Sequence, residues 1–576
     1  MGICNAKNAV VPATARAAPK ARYNSAKSSK PIEIGYLTDL EVPQPMASNQ
    51  LTRLCLVEFL HVLPSSAQGN LEYFNKWVER SRVLRYKPGT TTLELAHDSA
   101  YFVFGGDVQD RCGGSLRLTR RLVDLKKANP DRVFLICGNR DLNKLRLPSE
   151  LGAGDMARPA SEIPGPHWDP SAPTLHTYLT ELAAQRGDGT TAEALDSRPE
   201  RLRYYLKHTL GCPTTFEDRR AELAVMAGKS ASPSDELNGR NGATEAGISA
   251  ITDDQVVDSF LDDVAEGGAL YGYIEHGSLA CLLGNTIFVH GCLDSSNIKL
   301  VPLDGTRFYC PPEPQPMKSV EAVGAWVKEM NEFLRRGLAA HVARPDWDDS
   351  RTTRGCDMLL AVQNRCAMWG RCVVSGAYAD GGCITTPGAG PNREQVCAEV
   401  EESKNPILFE KLTSDPRDAL VADWLIGGGV RRIVVGHKPS GDSPAVLSST
   451  YTGVEVLSCD TSYADFKDAK GGGRGVSLAG MTIAGESLER NAATVWGTLS
   501  DGRAHEATLA TLSGVDGVTA DSPGDPHVGL ELEDGWWVKA KLKDQDGGAE
   551  EGGEAKPTYL LCKGAGRSCN YKDASL

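Results

Sequence analysis

Two short apolar segments, each followed by glycine and then by polar residues, are the feature that most constrains the fold. The first is Tyr101–Phe104 and the second is Val133–Cys137, and Ser115–Lys127 between them mixes apolar and basic residues at helical spacing. This order predicts a strand, a helix and a second strand, which together form a βαβ unit of an α/β sheet. Because ligands of open α/β sheets bind at the carboxyl ends of the strands, the polar residues after both segments should share one crevice.

The polar residues of this predicted crevice suit cations together with an anion. They are Asp107, Asp110, Arg111, Asn139, Arg140 and Asp141. Carboxylates and an amide oxygen are ligands for metal ions, and guanidinium groups bind oxyanions bidentately. The simplest ligand that contains both a cation and an anion is a phosphate group bound to a metal ion.

The composition is ordinary for a soluble globular protein, with 41% hydrophobic and 24% charged residues. The 576 residues can form two to four domains or one large elaborated domain. The net charge of −13 argues against a general nucleic-acid surface. The 16 cysteines include no CxxC pair, which favours reduced thiols and a cytoplasmic location. No apolar run approaches the ~18–20 residues of a membrane span.

Five short motifs each follow an apolar, strand-like segment. In chain order they are Asp39-Leu40-Glu41, GDVQDR at 106–111, GNRD at 138–141, Val289-His290-Gly291 and Gly436-His437. In this order they resemble the Asp-x-His, GDxxDR, GNH(D/E), metal-histidine and Gly-His motifs of the calcineurin-like metallophosphoesterases, in the branch of protein phosphatases and diadenosine tetraphosphatases. The resemblance spans about residues 32–465 and lies in the motifs, with long insertions between them.

The resemblance implies an α/β fold with a central β-sandwich of two mixed sheets flanked by helices. Large helical and loop insertions and a C-terminal β extension would be added to it. The predicted parts are a disordered basic tail at 1–30, the phosphoesterase domain at 31–465 with insertions at about 150–275 and 305–400, and a β-rich extension at 475–576 with an acidic disordered loop at 544–554. Residues 50–87 are predicted to be mainly helical. Further helices are predicted at Leu175–Arg186 and Asp253–Val264, and strands at Ile32–Leu37 and Arg432–Val435.

The resemblance also implies two divalent metal ions, either Mn, Fe, Zn or Mg. The implied ligands are Asp39, Glu41, Asp107, Asn139, His290 and His437. Asp107 would bridge the two ions, the first two residues would complete one site, and the last three would complete the other. Carboxylates suit Mg²⁺, whereas an amide oxygen and neutral imidazoles suit Mn, Fe or Zn. The ions would activate a hydroxide for in-line attack on phosphorus, and Arg111 and Arg140 would hold the phosphoryl oxygens.

Two positions depart from the family pattern. Glu41 replaces a histidine, which adds negative charge and favours harder cations at the first metal site. Arg140 replaces the histidine that, in related protein phosphatases, protonates the leaving group together with the aspartate corresponding to Asp110. Arginine cannot donate its proton at any usable pH. We therefore predict that Arg140 pairs with Asp110 and stabilises negative charge. We also predict that unactivated alkyl phosphates react slowly, since aided proton transfer contributes ~10²–10⁴-fold.

The N-terminal 30 residues carry basic side chains and no acid, which predicts a disordered basic tail. The tail begins Met1-Gly2-Ile3-Cys4, which resembles an N-myristoylation site at Gly2 followed by a palmitoylation site at Cys4. Two acyl chains and the basic residues would anchor the protein at the cytoplasmic leaflet of a membrane. Ala6 departs from the usual serine or threonine, and an unmodified tail is the alternative.

The leading functional hypothesis is a metallophosphoesterase that acts on a phosphorylated substrate, either a phosphoprotein or a nucleotide. The GDxxDR and GNxD spacing favours a protein phosphatase. The Gly-His-x-Pro motif at 436–439 and Asp460-Thr461 favour a hydrolase of nucleotides or anhydrides. Two alternatives come from other classes. One is a pseudophosphatase that binds a metal or a phospho-ligand without turnover, and the other is a membrane-tethered scaffold.

Overall fold

The computed structural model describes most of the chain between residues 58 and 576. The described residues are 58–63, 70–110, 113–166, 172–228, 237, 244–294, 297–304, 317–360, 419–437, 440, 443–447, 453–461, 477–514, 517–518, 523–543, 556–565 and 568–576. Five residues of the predicted sites lie outside this set, namely Gly2, Cys4, Asp39, Glu41 and Arg111. The basic tail at 1–30 and the acidic loop at 544–554 also lie outside it.

Twenty strands are described. They are β1 (Glu58–Leu63), β2 (Leu84–Tyr86), β3 (Leu93–Leu95), β4 (Tyr101–Phe104), β5 (Val133–Leu135), β6 (Ala280–Leu283), β7 (Thr286–Val289), β8 (Leu300–Pro302), β9 (Met317–Ser319), β10 (Arg432–Val435), β11 (Ala445–Leu447), β12 (Glu455–Ser458), β13 (Leu478–Ser487), β14 (Arg490–Thr498), β15 (Ala504–Thr508), β16 (Leu512–Ser513), β17 (Gly517–Val518), β18 (Trp537–Lys541), β19 (Thr558–Ala565) and β20 (Ser568–Ser575).

The structure describes fourteen α-helices, most of which lie between strands β5 and β6. They are α1 (Leu71–Val78), α2 (Ser115–Ala128), α3 (Asn139–Asn143), α4 (Leu147–Glu150), α5 (Ala153–Met156), α6 (Leu175–Arg186), α7 (Ala192–Leu195), α8 (Arg198–Tyr204), α9 (Thr215–Ala227), α10 (Glu245–Ala250), α11 (Asp253–Val264), α12 (Ala269–Glu275), α13 (Val323–Ala343) and α14 (Ala419–Gly427). A π-helical segment, Tyr205–Thr209, continues α8. Among the described residues, no helix combines the length and apolar character that crossing a bilayer requires.

Two large sheets dominate the described strands, so the fold is mixed α/β. The first has eight strands in the order β17-β16-β14-β13-β1-β4-β5, with β15 beside β14. The second has five strands in the order β11-β12-β10-β7-β6. Strands β1, β4 and β5 run parallel, as do β7, β10 and β12. Buried side chains of both sheets belong to one hydrophobic cluster. The two-sheet sandwich implied by the resemblance stays a prediction.

The βαβ unit predicted from the two apolar segments is present as β4, α2 and β5. Phe102, Val103 and Phe104 are fully buried, as expected of a parallel strand that is covered on both faces. The two strands pair in parallel, with Phe104 opposite Leu135. Their carboxyl ends therefore lie side by side, and the polar residues at 106–110 and 138–141 leave the sheet at the same edge.

The helical prediction for residues 50–87 is only partly confirmed. Helix α1 is present, and the Asn70 side chain caps it by accepting a hydrogen bond of 2.9 Å from the backbone N–H of Tyr73. The prediction is wrong at Leu84–Tyr86, which is strand β2, and at Glu58–Leu63, which is strand β1. The reason is tertiary, because this segment pairs in parallel with β4 and antiparallel with β13. The predicted strand at 32–37 lies outside the described residues.

The segment after residue 475 contributes to the first sheet. Strand β13 pairs with β1, and β14 to β17 extend the sheet beyond it. Strands β18, β19 and β20 form a separate three-stranded sheet, in which Trp537 is 5% exposed and packs in the core. The predicted β-rich character of 475–576 is therefore present, although β13 is a central strand of the first sheet. The predicted boundary between 465 and 475 remains a prediction.

The helical segment between β5 and β6 has a hydrophobic cluster of its own. Leu147, Leu175, Leu202 and Phe260 are among its buried members. Helices α6 and α11 match the sequence predictions residue for residue. Helix α11 begins with a capping box in which Thr252 and Gln255 each accept from the other's backbone N–H. This helical layer covers one side of the crevice described next.

Candidate functional site

Two glycine turns bring the ends of β4 and β5 into contact. Gly106 has φ of +97° and Asp107 has φ of +55°, so the chain turns sharply through the left-handed region. A Cβ at Gly106 would lie 2.7 Å from Nδ1 of His290, and one at Gly138 would lie 2.2 Å from Oδ1 of Asp107. Both positions therefore require glycine, because any side chain there would occupy the space of a candidate metal ligand.

The carboxylate of Asp141 joins the two turns. It accepts hydrogen bonds from the backbone N–H groups of Asp107 at 3.0 Å, Val108 at 2.8 Å and Gly138 at 2.8 Å. Asp141 is fully buried. Burial and the nearby charge of Asp107 raise the pKa of Asp141 to about 7. Its role in the site is to fix the backbone from which the side chains of Asp107 and Asn139 project.

The two predicted histidines reach the site from the second sheet. His290 follows β7 and His437 follows β10, and these strands pair in parallel. The backbone N–H of Gly436 donates to the carbonyl of His290 at 2.9 Å. His437 has φ of +64°, a left-handed conformation that is uncommon outside glycine. The imidazole ring centroids are 5.2 Å apart.

The tautomer of His290 is set by a backbone carbonyl. Nδ1 lies 2.8 Å from the oxygen of Gly105, which can only accept, so Nδ1 carries the proton. In the neutral ring the lone pair of Nε2 then faces the centre of the site. Orientation of an imidazole by a hydrogen bond from its other nitrogen is the usual arrangement of a metal-binding histidine.

Four acceptor atoms converge at this centre. Oδ1 of Asn139 lies 3.1 Å from Nε2 of His290 and 2.8 Å from Nδ1 of His437, and Nε2 of His290 lies 3.4 Å from Oδ1 of Asp107. One ligand atom from each of Asp107, His290 and His437 lies within 4.8 Å of the others. A carboxylate, an amide oxygen and two imidazoles are a donor set that fits a divalent cation.

Electrostatics favour positive charge at the same point. Burial by itself would raise the pKa of Asp107, but the charge and hydrogen bond of His290 and the guanidinium of Arg140 bring it below its ordinary value. Burial by itself would lower the pKa of His290, but the carboxylate of Asp107 raises it. The carboxylate therefore stays ionised and attracts a cation to the cluster.

Arg140 lies beside the cluster and is held by three acceptors. Its backbone N–H donates to Oδ1 of Asp107 at 3.0 Å. Its Nη1 donates to Oδ2 of Asp110 at 2.8 Å and to the carbonyl of Leu210 at 3.1 Å, and its Nε lies 3.7 Å from Oδ2 of Asp107. Burial would lower the pKa of Arg140, but Asp110 and Asp107 hold it above its ordinary value. The predicted pair with Asp110 is thus present.

The structure brings together six of the nine predicted catalytic and metal-binding residues. They are Asp107, Asp110, Asn139, Arg140, His290 and His437. Asp39, Glu41 and Arg111 lie outside the described residues, and their roles as ligands and as a phosphate-binding group stay predictions. The acylation sites at Gly2 and Cys4 stay predictions for the same reason.

Three contacts to Asp110 and Arg140 were not found from sequence. Nζ of Lys144 bonds Oδ1 of Asp110, Sγ of Cys212 lies 3.7 Å from the same oxygen, and the Leu210 carbonyl accepts from Arg140. Lys144 lies four residues after Arg140, at the end of α3, and no pattern in the sequence indicates its contact with Asp110. The contacts from Leu210 and Cys212 depend on how the helical layer packs, which no local pattern indicates.

No protein-family model and no curated protein matches this sequence. Among solved structures, a cold-active protein tyrosine phosphatase solved at 1.1 Å shares 13% identity, with 73% of this chain and 70% of that chain covered and a TM-score of 0.25. A cold-active protein-tyrosine phosphatase of the psychrophile Shewanella sp. shares 13% identity, with coverages of 82% and 90% and a TM-score of 0.28. Similarity this low establishes no common fold.

Proposed function

We propose that this protein is a metal-dependent phosphoesterase. The observation that carries the proposal is the convergence of Asp107, Asn139, His290 and His437 on one point, with the guanidinium of Arg140 beside it. The first four offer ligands to a cation, and the guanidinium offers hydrogen bonds to an oxyanion. A phosphoryl group on a metal ion satisfies both halves of the site.

The proposed cofactors are two divalent metal ions. The nitrogen and oxygen donors of the described cluster favour Mn, Fe or Zn, and the proposed addition of Asp39 and Glu41 would make a second, more acidic site that also suits Mg. Ions of this kind would activate water as a nucleophile and neutralise phosphoryl charge. Asp107 would serve both sites, as the resemblance of its motif implies.

The protein's own contribution to the reaction follows from Arg140 and Asp110. Arg140 stays charged and can stabilise a phosphoryl or leaving-group oxygen, but it cannot supply a proton. Asp110 is fully buried, and its two oxygens are bonded by Arg140 and Lys144. It therefore acts as an anchor for the guanidinium. Leaving groups that depart as stable anions, such as aryl oxides or nucleotide phosphates, suit this site best.

The proposed substrates are phosphorylated molecules, either a phosphoprotein or a nucleotide. We further propose that the N-terminus is acylated at Gly2 and Cys4 and holds the protein at the cytoplasmic face of a membrane. Mass spectrometry of the native N-terminus tests this proposal. A mass that corresponds to an unmodified tail would contradict it.

The function is tested by hydrolysis of an aryl phosphate by the purified full chain with Mn²⁺, Mg²⁺ or Zn²⁺, beside a chelator control. We expect metal-dependent turnover that falls by about a hundredfold or more in Asp107→Asn, because the carboxylate charge is lost from the cation site. Asp124→Asn is the matched control, since Asp124 is exposed on α2. Absence of metal-stimulated turnover on a panel of aryl, alkyl and anhydride substrates would overturn the proposal.

The second candidate is a binding module without turnover. The observation that favours it is Arg140, which stands where an acid would be needed for many phosphate esters. In that case metal and inorganic phosphate bind to the wild type, and both affinities fall in Asp107→Asn, while no substrate is hydrolysed. The same assay, combined with calorimetric titration of metal and phosphate, separates the two functions.

A further inference from the structure

Lys144 is a buried cation next to the candidate site. Its side chain is 1% exposed and its ammonium bonds Oδ1 of Asp110. The same Nζ donates to the carbonyl of Arg140 at 3.0 Å and to the carbonyl of Gln109 at 3.4 Å. An ammonium has three protons, so these three acceptors use all of them. Lys144 therefore has no donor left for a substrate.

Asp110 stands between two cations. Oδ1 accepts a hydrogen bond from the ammonium of Lys144, and Oδ2 accepts one from Nη1 of Arg140 at 2.8 Å. The carboxylate is fully buried, and the Arg140 side chain is 21% exposed. Within this trio two positive charges meet one negative charge, and the arginine is the member that reaches the solvent-accessible side. Asp107, the other carboxylate near the guanidinium, belongs to the candidate cation site.

The orientation of the guanidinium is fixed in the same way. Both protons of Nη1 are used, by Asp110 and by the carbonyl of Leu210, and Nε faces Asp107 at 3.7 Å. Among the described residues, no acceptor bonds Nη2. The guanidinium is therefore held by Asp110 and Leu210, with its Nε toward the cation cluster.

We propose that Lys144 is a positioning residue that neutralises Asp110 and so leaves the charge of Arg140 available to a phosphoryl group. The inference rests on the proposed function, since it assigns a role in binding the phosphoryl group at the same site. Without Lys144, Asp110 and Arg140 would form a neutral pair. The guanidinium would then attract an oxyanion less strongly, even with its geometry unchanged.

The test is a charge-compensation cycle read out by calorimetric titration of the Mn²⁺-loaded full chain with inorganic phosphate. The variants are Lys144→Met, Asp110→Asn and the double variant of both. We expect Lys144→Met to weaken phosphate binding about tenfold or more. The double variant should bind phosphate at least about threefold more tightly than Lys144→Met, because it removes the carboxylate charge that Lys144 offsets, although it also weakens the anchor of Arg140. Lys127→Met, a change of an exposed lysine on α2, controls for net charge.

Folding is followed by thermal unfolding of each variant. If Lys144→Met does not fold, Lys144→Arg and the double variant decide: the first should bind phosphate within about threefold of wild type, and the second within about tenfold. The inference is overturned if Lys144→Met keeps wild-type phosphate affinity, or if the double variant folds and binds as weakly as Lys144→Met. If Lys144 were only structural, Lys144→Met and the double variant would both be less stable than wild type. The double variant would then bind phosphate no more tightly than Lys144→Met.

The outcome is separable from that of the proposed function. Phosphate binding that depends on Lys144 in a wild type that hydrolyses nothing would support the role of Lys144 and contradict the enzyme. If the wild type turns over substrate and Lys144→Met binds phosphate as tightly as the wild type, the enzyme is supported and the role of Lys144 is contradicted.

Discussion

Nη1 of Arg140 donates to Oδ2 of Asp110 at 2.8 Å, so the position beside the candidate cation site is held by a permanent charge. In the family that the motifs resemble, a histidine at this position transfers a proton. The pair described here can only bind and orient an anion. That difference determines which leaving groups the proposed enzyme should release.

Arg140→His should change substrate preference. A histidine paired with Asp110 can act as a general acid, and aided proton transfer contributes ~10²–10⁴-fold. We expect the ratio of alkyl to aryl phosphate hydrolysis to rise by about tenfold or more. Parallel kcat/KM measurements on a phosphoserine peptide and on an aryl phosphate check this. Arg140→Lys, which keeps the charge, is the control, and an unchanged ratio in Arg140→His would refute the role assigned to Arg140.

Gly138→Ala should disrupt the cation site. The added Cβ would lie 2.2 Å from Oδ1 of Asp107 and 2.9 Å from Cε1 of His290. Forced overpacking of this kind costs about 1–3 kcal/mol and displaces a candidate ligand. We expect lower thermal stability and at least about tenfold weaker Mn²⁺ binding by titration. Gly154→Ala is the matched control, because no atom lies within 4 Å of its added Cβ. Equal Mn²⁺ affinity in the two variants would contradict this account.

Asp141→Asn should destabilise the turns that carry the site. The carboxylate accepts three backbone hydrogen bonds, and the amide replaces one acceptor oxygen with a donor that would face an N–H group. Leaving a buried donor unsatisfied costs about 1–3 kcal/mol. Urea unfolding should show a loss of this size. The exposed Asp124→Asn should stay within about 0.5 kcal/mol of wild type. If Asp141→Asn unfolded at the same urea concentration as wild type, the three hydrogen bonds would contribute little to stability.

His505 should make the protein less stable in acid. Burial and the charges of Lys539 and Lys543 lower its pKa to about 3. Between about pH 6.5 and pH 3 the unfolded chain binds a proton at this residue and the folded chain does not, so stability is lost as the pH falls through this window. The slope is about 1.4 kcal/mol per pH unit. Urea unfolding of wild type and His505→Leu across this range should give curves that diverge below pH 6.5, and parallel curves would contradict the prediction.

Local sequence pattern predicted many elements correctly. Helices at Leu175–Arg186 and Asp253–Val264 and strands at Tyr101–Phe104 and Arg432–Val435 agree with the structure. In each case the periodicity, or a short apolar run bounded by polar residues, is sufficient because neighbours in sequence determine the local conformation. The sequence also indicated the four described metal-ligand candidates, since each lies within four residues of the end of such a strand.

Long-range pairing explains what the sequence did not predict. Glu58–Leu63 was assigned to a mainly helical region, because a short apolar run fits a buried helix or a buried strand equally well. Its strand state depends on pairing with Tyr101–Phe104 and with Leu478–Ser487. In the same way, the contact between Arg140 and the carbonyl of Leu210 exists only once the helical layer has packed over the crevice.

The pairing of Glu58–Leu63 with Leu478–Ser487 has a consequence for synthesis of the protein. At ~5–20 residues per second, a ribosome needs tens of seconds between these two strands. Throughout that time the nascent chain carries a strand whose edge has no neighbour on one side, and such an edge templates intermolecular pairing. Production of this protein should therefore depend on chaperones that shield the growing chain, more than its stability once folded would suggest.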